Sequence, residues 1–198
     1  HWRVNVLALP PLPFAGYQRR LRESGSLHLC GVSQHVIPRP TDWEDRAHLT
    51  GYWVLPQTEA YQPPAALAQF LAAGDPPICI GFGSMPGADP QAATDVVVKA
   101  LGLAGVRGVL LGGWGGLAES GLPATVFHLE AAPHAWLLAQ MAAVVHHGGA
   151  GTTAAGLRAG VPSIVIPFLG DQPFWGRRIH ALGAGAQPIP RARLTAER

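Results

Sequence analysis

The sequence predicts an α/β protein in which a parallel β-sheet carries helices on both faces. From Pro77 onward, apolar runs of strand length alternate with helical stretches, which is the rhythm of βα units. The runs at residues 78–80 and 164–166 are continuously apolar, as is typical of parallel strands covered on both faces. Glycine-rich segments follow several runs, at the positions where an open parallel sheet binds its ligands. The predicted fold class is a doubly wound parallel sheet.

Five strands and four helices make up this predicted domain. A short helix over residues 65–71, ended by Gly74, precedes it. In residues 1–56, only the stretch 27–37 alternates enough for a strand or two, and no stretch shows the apolar stripe of a helix. The predicted elements of the domain, in chain order, are strand 78–83, helix 91–101, strand 106–111, strand 126–129, helix 135–141, strand 143–147, helix 152–159, strand 163–167 and helix 174–182.

The composition divides the chain into three parts. Residues 1–56 are rich in proline and aromatic residues and cannot close a core alone, residues 57–76 form a linker with a short helix, and residues 77–198 form the α/β domain. A chain of 198 residues has room for one domain and a fraction of a second. We expect both ends to be cut from a longer protein, because the first residues include neither an initiator Met nor a signal peptide and residues 194–198 look like the beginning of a helix.

Composition and charge exclude several classes of protein. Only 13% of the residues are charged and 48% are hydrophobic, which excludes disorder driven by charge. A net charge of +2 without a long basic run argues against a nucleic-acid partner. Cys30 and Cys79 lack the spacing of a zinc site or a disulfide framework, so we expect no metal and a reducing, cytoplasmic setting. No apolar run reaches the about 18 residues of a membrane span.

The strongest candidate site is the segment 146–153, which follows the fourth predicted strand and opens a helix. Its glycines allow close approach of a ligand to the backbone, and the N–H groups and positive dipole end of the helix suit a phosphate or diphosphate. The 40 residues between Glu130 and Asp171 contain no carboxylate that would repel an anion. The alternative is an ordinary tight turn that needs glycine for steric reasons. Of the two histidines, we expect His146 to be structural and His147 to face the ligand.

Three further strand-end features are candidates. Asp171 and Gln172 offer acceptors and donors that suit sugar hydroxyls, although Asp171 could equally cap the following helix. Ser84 lies outside any hydrolase motif, so a phosphate contact is the expected role. Trp114 stands among glycines, where it could stack on a base or pack on a neighbour.

Together these motifs resemble those of a known family, in the same order along almost the whole chain. The chain is similar to the C-terminal half of a family 1 glycosyltransferase with the GT-B fold, of the sterol and antibiotic glucosyltransferase type. The residues that carry the resemblance are Asp42-Trp43, Thr50 to Trp53, Gly81 to Met85, Gly113 to Leu117, His146 to Thr153, Ala159 to Pro162, Pro167 and Asp171 to Pro173.

The resemblance implies a Rossmann-like domain that binds a UDP- or TDP-sugar as co-substrate, without a metal or resident cofactor. Asp171 and Gln172 would then hold the sugar hydroxyls. Related plant-type enzymes stack the tryptophan of a Trp-x-Pro-Gln motif on the base, and this chain has Ala131-Ala132-Pro133-His134 in its place. Ala132 of this segment and Trp114, a candidate substitute for the tryptophan, are the residues implied for the base. The residues implied for the donor diphosphate are Gly83, Ser84, His147, Gly149, Ala150, Gly151 and Thr152.

The resemblance also implies what the full-length parent does. It would transfer a hexose with inversion to a lipophilic hydroxyl acceptor such as a sterol, polyketide or lipid. The catalytic base of the family lies near the start of the N-terminal acceptor domain, of which residues 1–56 are a remnant. We therefore expect no catalytic base in this chain and no turnover by the chain alone. A cytoplasmic enzyme with peripheral membrane contact is the expected setting.

A second function class fits part of the sequence. Residues 149–154 match the Gly-x-Gly-x-x-Ala fingerprint of dinucleotide binding, and Asp171 follows about 20 residues later, as a ribose-binding acid would. The alternative is therefore an NAD(P)-binding domain of an oxidoreductase. A degenerate fold used only for protein contacts is a third option, against which the intact donor motifs argue.

Overall fold

The computed structural model describes residues 2–11, 13–55, 60–83, 89–112, 117 and 121–198. The chain forms two compact units, His1–Leu55 and Pro56–Arg198. The second unit begins one residue before the predicted linker and includes that linker and the whole predicted α/β domain.

The first unit contains two helices and a pair of parallel strands. They are α1 (Trp2–Asn5), α2 (Phe14–Glu23), β1 (His28–Cys30) and β2 (Ala47–Leu49). The prediction that this part has no helix with an apolar stripe did not anticipate α2, whose sequence is polar and includes the i,i+4 ion pair of Arg19 and Glu23 at 3.8 Å. Its few apolar residues, Phe14, Tyr17 and Leu21, do recur at helical spacing, but the helix is polar on average, so the stripe is easily overlooked.

The second unit is a five-stranded parallel sheet with flanking helices. The strand order is β5-β4-β3-β6-β7, and each neighbouring pair is parallel. This confirms the predicted fold class, with boundaries that shift by a few residues. The elements are α3 (Ala65–Ala72), β3 (Ile78–Gly81), α4 (Pro90–Ala104), β4 (Gly108–Leu111), β5 (Val126–Leu129), α5 (His134–Leu138), β6 (Ala143–His146), α6 (Ala150–Ala159), β7 (Ser163–Val165) and α7 (Gln172–Ala181), followed by a 3-10 turn (Arg191–Arg193).

Alternate residues of the strands supply the cores on the two faces of this sheet. Cys79 and Val109 belong to one buried cluster, whereas their chain neighbours Ile80 and Leu110 belong to the other. Leu67 of α3 is fully buried in the first cluster, so the helix predicted within the linker is part of the core. None of the described helices is long and apolar enough to cross a bilayer.

Candidate functional site

The order of the strands fixes where a ligand can enter the sheet. From β3 the chain runs outward through β4 to β5, then returns to the other side of β3 as β6 and continues to β7. The ends of β3 and β6 therefore lie side by side, with Gly81 opposite His146. In open α/β sheets the crevice at this point of reversal is the ligand site. The structure thus brings the candidate segments around Gly83 and His147 together at the position where binding is expected.

Helix α6 begins directly at this crevice. Gly149 is its N-terminal cap residue and makes no side-chain capping bond, since glycine has no side chain. The first intrahelical bond runs from Thr153 N–H to Gly149 O, at 2.9 Å. The N–H groups of the four preceding residues, Gly149 to Thr152, consequently have no partner within the helix. These donors and the positive end of the helix dipole suit an anionic group.

The side chain of His147 is held between two glycines. A Cβ atom added to Gly83 would lie 3.0 Å from Cε1 of His147, and one added to Gly149 would collide with its Nε2. The half-buried imidazole thus occupies the space that side chains at these positions would fill. Its Nδ1 is buried without a hydrogen-bond partner among the described residues. Burial lowers the pKa of His147, and the charge of Asp171 opposes this effect.

His146 supports the turn from the opposite side. Its imidazole is fully buried, and Nδ1 accepts a hydrogen bond from Gly148 N–H at 3.1 Å. Because Nδ1 is the acceptor, the proton of the neutral ring lies on Nε2. Burial, followed by the charges of His147 and His134, lowers the pKa of His146 to about 4. The structure therefore gives His146 the structural position that the sequence predicts.

The backbone between these histidines and α6 turns sharply at Gly148. This residue has φ +90°, and a Cβ there would lie 2.7 Å from Val165 Cγ1 and 2.9 Å from Gln172 O. Both the left-handed conformation and the close packing against β7 and α7 exclude a side chain. The sequence alone does not distinguish Gly148 from the other glycines of segment 146–153, and its place among them is the one local indication of its role.

Asp171 and Gln172 lie at the start of α7 and use their side chains differently. Oδ2 of the exposed Asp171 accepts a hydrogen bond from Nε1 of Trp175 at 2.7 Å, and the side chain makes no capping bond. Asp171 is thus the N-cap residue of α7, as the alternative predicted, but its side chain does not cap the helix. Oε1 of the buried Gln172 accepts bonds from the N–H groups of Phe168 (2.7 Å) and Leu169 (3.0 Å). Gln172 therefore ties down the loop that follows β7.

Two cavities adjoin the start of α6. A cavity of about 180 Å³ extends from the ends of β3 and β6 to Ala132, His134 and Thr152. A cavity of about 600 Å³ lies between α5 and α6, where His134 and Arg158 contribute basic groups. Ala132, the residue predicted near the nucleobase, thus lines a space beside the start of α6. Ser84 and Trp114, the other predicted contacts, lie outside the described residues.

The histidines, cysteines and carboxylates of the described residues form no cluster of three or more that could hold a metal ion. Trp175, whose Nε1 donates to Asp171, is a further residue that the sequence patterns did not connect with this end of α7. Its signal was the spacing of four residues from Asp171 along a helix.

The fold is similar to that of the C-terminal domains of GT-B glycosyltransferases. The structure is similar to the glycotransferase of kitacinnamycin, with 24% identity, a TM-score of 0.70 and coverage of 93% of this chain and 51% of that chain. It is also similar to the glycosyltransferase SnogD from Streptomyces nogalater, with 28% identity, a TM-score of 0.64 and coverage of 92% and 50%. Residues 116–198 match the family described as erythromycin biosynthesis protein CIII-like, C-terminal domain.

Relatives found by sequence are more similar to this chain than the solved structures are, and both relatives reported below are sterol glucosyltransferases. The chain is 49% identical over 159 residues to sterol 3-beta-glucosyltransferase UGT80A2 of Arabidopsis thaliana, covering 80% of this chain and 25% of the relative. It is 41% identical over 196 residues to the sterol 3-beta-glucosyltransferase of Leptosphaeria maculans, covering 93% and 13%. Residues 116–198 are thus an EryCIII-like C-terminal domain, and the chain is a homologue of sterol 3-beta-glucosyltransferases.

These comparisons confirm the resemblance that the motifs predicted. The chain spans a quarter or less of the length of these two sterol glucosyltransferases. The oxidoreductase alternative receives no support from the relatives reported above.

Proposed function

We propose that this chain binds the donor of a glycosyltransferase, a nucleoside diphosphate sugar, at the crevice beside α6. The observation that carries the proposal is the position of His147 between Gly83 and Gly149, next to the N–H groups at the start of α6 that have no partner within the helix. An imidazole and a helix N-terminus on the same side of one crevice form a compact set of donors for a diphosphate.

The diphosphate contacts proposed for this crevice need no metal ion. Backbone N–H groups from Gly149 to Thr152 would bind the phosphate oxygens, and His147 would donate to them from one of its ring nitrogens. Gly83 would admit the diphosphate close to the end of β3, with Ser84 as a further donor. Because the negative charge grows on the diphosphate as it leaves, these donors act more strongly in the transition state than on the bound donor.

The sugar contacts are assigned to the start of α7. The exposed Asp171 carboxylate would accept hydrogen bonds from sugar hydroxyls, and Gln172 would contribute chiefly by holding the loop through Phe168 and Leu169. Space for the base is offered by the cavity that Ala132 lines. A stacking role for Trp114, which lies outside the described residues, stays a prediction from the sequence. UDP is the nucleotide to test first, with TDP second.

The parent reaction in this proposal is an inverting displacement. The oxygen of an acceptor hydroxyl forms a bond to the anomeric carbon of the sugar, the bond from that carbon to the diphosphate breaks, and a base takes the hydroxyl proton. The base belongs to the N-terminal domain of the parent, so this chain alone is expected to bind donor without turning it over. A sterol is the first acceptor to test, since the relatives are sterol glucosyltransferases. The proposed setting is cytoplasmic with peripheral membrane contact.

Isothermal titration calorimetry of the full chain with UDP, UDP-glucose and NAD tests the donor site. We expect binding of UDP and UDP-glucose, which His147→Ala weakens about ten-fold or more for both ligands because the diphosphate loses a donor. Asp171→Ala should weaken UDP-glucose alone. Matched controls are His180→Ala and Asp75→Ala, which remove an exposed histidine and an exposed carboxylate outside the site.

Two outcomes would contradict the proposal. One is the absence of UDP and UDP-glucose binding, and the other is binding that both site variants leave unchanged. Binding of NAD in place of UDP would restore the oxidoreductase alternative. Turnover of UDP-glucose by this chain, at the rate of a full-length relative, would refute the placement of the base in the N-terminal domain.

A further inference from the structure

Trp175 lies behind Asp171 on the first turns of α7. The two residues are four apart, so they share one face of the helix. The backbone O of Asp171 accepts from the N–H groups of Phe174 (2.9 Å) and Trp175 (3.2 Å), which fixes the main chain between them. The indole is 8% exposed, and its ring meets that of Phe174 edge to face, with centroids 5.2 Å apart. The position of its N–H group is thus set by packing.

The indole N–H of Trp175 donates its hydrogen bond to a carboxylate rather than to a backbone carbonyl. Nε1 of Trp175 donates to Oδ2 of Asp171 at 2.7 Å, a short bond to a charged acceptor. An exposed aspartate side chain otherwise rotates among several orientations. The bond removes this freedom and directs Oδ1, the second oxygen, away from the indole. The buried indole of Trp175 thereby fixes the orientation of the exposed Asp171 carboxylate.

We infer that Trp175 is a positioning residue for sugar recognition, which acts by holding the Asp171 carboxylate toward the hydroxyls of the donor sugar. This inference rests on the proposed function. The diphosphate contacts of the proposal lie on His147 and the start of α6, and Trp175 belongs to neither. The loss of its N–H group should therefore weaken the binding of a nucleotide sugar and leave the binding of the nucleotide itself unchanged.

The test compares the dissociation constants of UDP-glucose and UDP for the full chain and for Trp175→Phe. The phenyl ring retains apolar packing and lacks the N–H group. We expect UDP-glucose to bind about five- to ten-fold more weakly, with UDP binding unchanged, because the sugar loses an oriented charged acceptor. A role in folding alone would weaken both ligands together. Trp136→Phe is the matched control, because the Trp136 ring packs against Tyr61, with centroids 5.0 Å apart. This substitution should change the dissociation constant of neither UDP-glucose nor UDP.

Two further measurements keep the test decisive. Replacement of Trp175 by 3-benzothienylalanine changes the N–H group to sulfur at nearly equal shape, so that it gives the same comparison if the phenylalanine variant does not fold. In a double-mutant cycle, Trp175→Phe should have no added effect on UDP-glucose binding once Asp171 is alanine, because Trp175 acts through Asp171.

The outcomes separate this inference from the proposed function. If the unmodified chain binds neither UDP nor UDP-glucose, the proposed function fails and the inference fails with it. If the chain binds both ligands, and removal of the N–H group changes their two affinities equally or not at all, the inference alone is overturned. An additive effect in the Asp171→Ala background would also overturn it.

Discussion

Acid should destabilise the protein through the buried imidazole of His146. Its pKa is about 4 in the folded chain, against an ordinary value of 6.5. The unfolded chain therefore binds a proton at a higher pH than the folded chain does, and the free energy of unfolding falls as the pH drops below about 6.5. This loss continues to about pH 4, where the folded form also binds the proton. The charges of His147 and His134 act in the same direction as burial.

The size of the effect follows from the two pKa values. Relative to neutral pH, His146 lowers the free energy of unfolding by about 2 kcal/mol at pH 5 and about 3 kcal/mol at pH 4. This is a large part of the 5–15 kcal/mol that is typical of a domain.

Urea unfolding of the wild type and of His146→Asn, followed by circular dichroism from pH 8 to pH 5, measures this contribution. Asparagine offers an oxygen near the position of Nδ1, so it can keep the bond to Gly148 N–H while removing the titrating group. We expect the wild type to lose about 2 kcal/mol more than His146→Asn across this range. The control His180→Asn removes an exposed histidine and should retain the full loss. Parallel curves for the wild type and His146→Asn would refute the assignment.

Two further predictions concern the backbone. Gly148→Ala should lower the free energy of unfolding by about 2–4 kcal/mol, because a left-handed φ and a Cβ 2.7 Å from Val165 Cγ1 are both unfavourable. Asp89→Ala should lower it by about 1 kcal/mol, because the Asp89 side chain accepts the Ala92 N–H at 3.0 Å and caps α4. Both changes are read from thermal or urea unfolding.

The chain offers a control for each substitution. Gly102→Ala lies in α4, where an added Cβ meets nothing within 4 Å, and should raise the free energy of unfolding by about 0.5–1 kcal/mol. Asp89→Asn keeps a capping oxygen and should restore most of the loss seen with alanine. If Gly148→Ala were as stable as Gly102→Ala, the packing described for the turn would be wrong.

Local patterns of the sequence predicted which residues of the candidate site are buried and which lie beside the crevice. His147 was expected to face the ligand and His146 to be structural, because adjacent strand residues point to opposite faces. The structure adds that His146 accepts the Gly148 N–H, which depends on the fold of the turn. The role of Gln172 was harder to predict, because a carboxamide next to an aspartate can bind a ligand or its own loop. Only the positions of Phe168 and Leu169 show that it binds the loop.

The sequence by itself determined the alternation of strands and helices, the glycine-rich turn of segment 146–153 at the start of a helix, and the resemblance of these motifs to a family. These features are local, because hydrophobic periodicity, glycine content and helix starts are properties of neighbouring residues. The tertiary structure decided that the ends of β3 and β6 meet, that His147 lies between Gly83 and Gly149, and that Trp175 holds Asp171. Strand order and side-chain orientation depend on contacts between distant parts of the chain and on the rotamers that packing selects, so no local pattern specifies them.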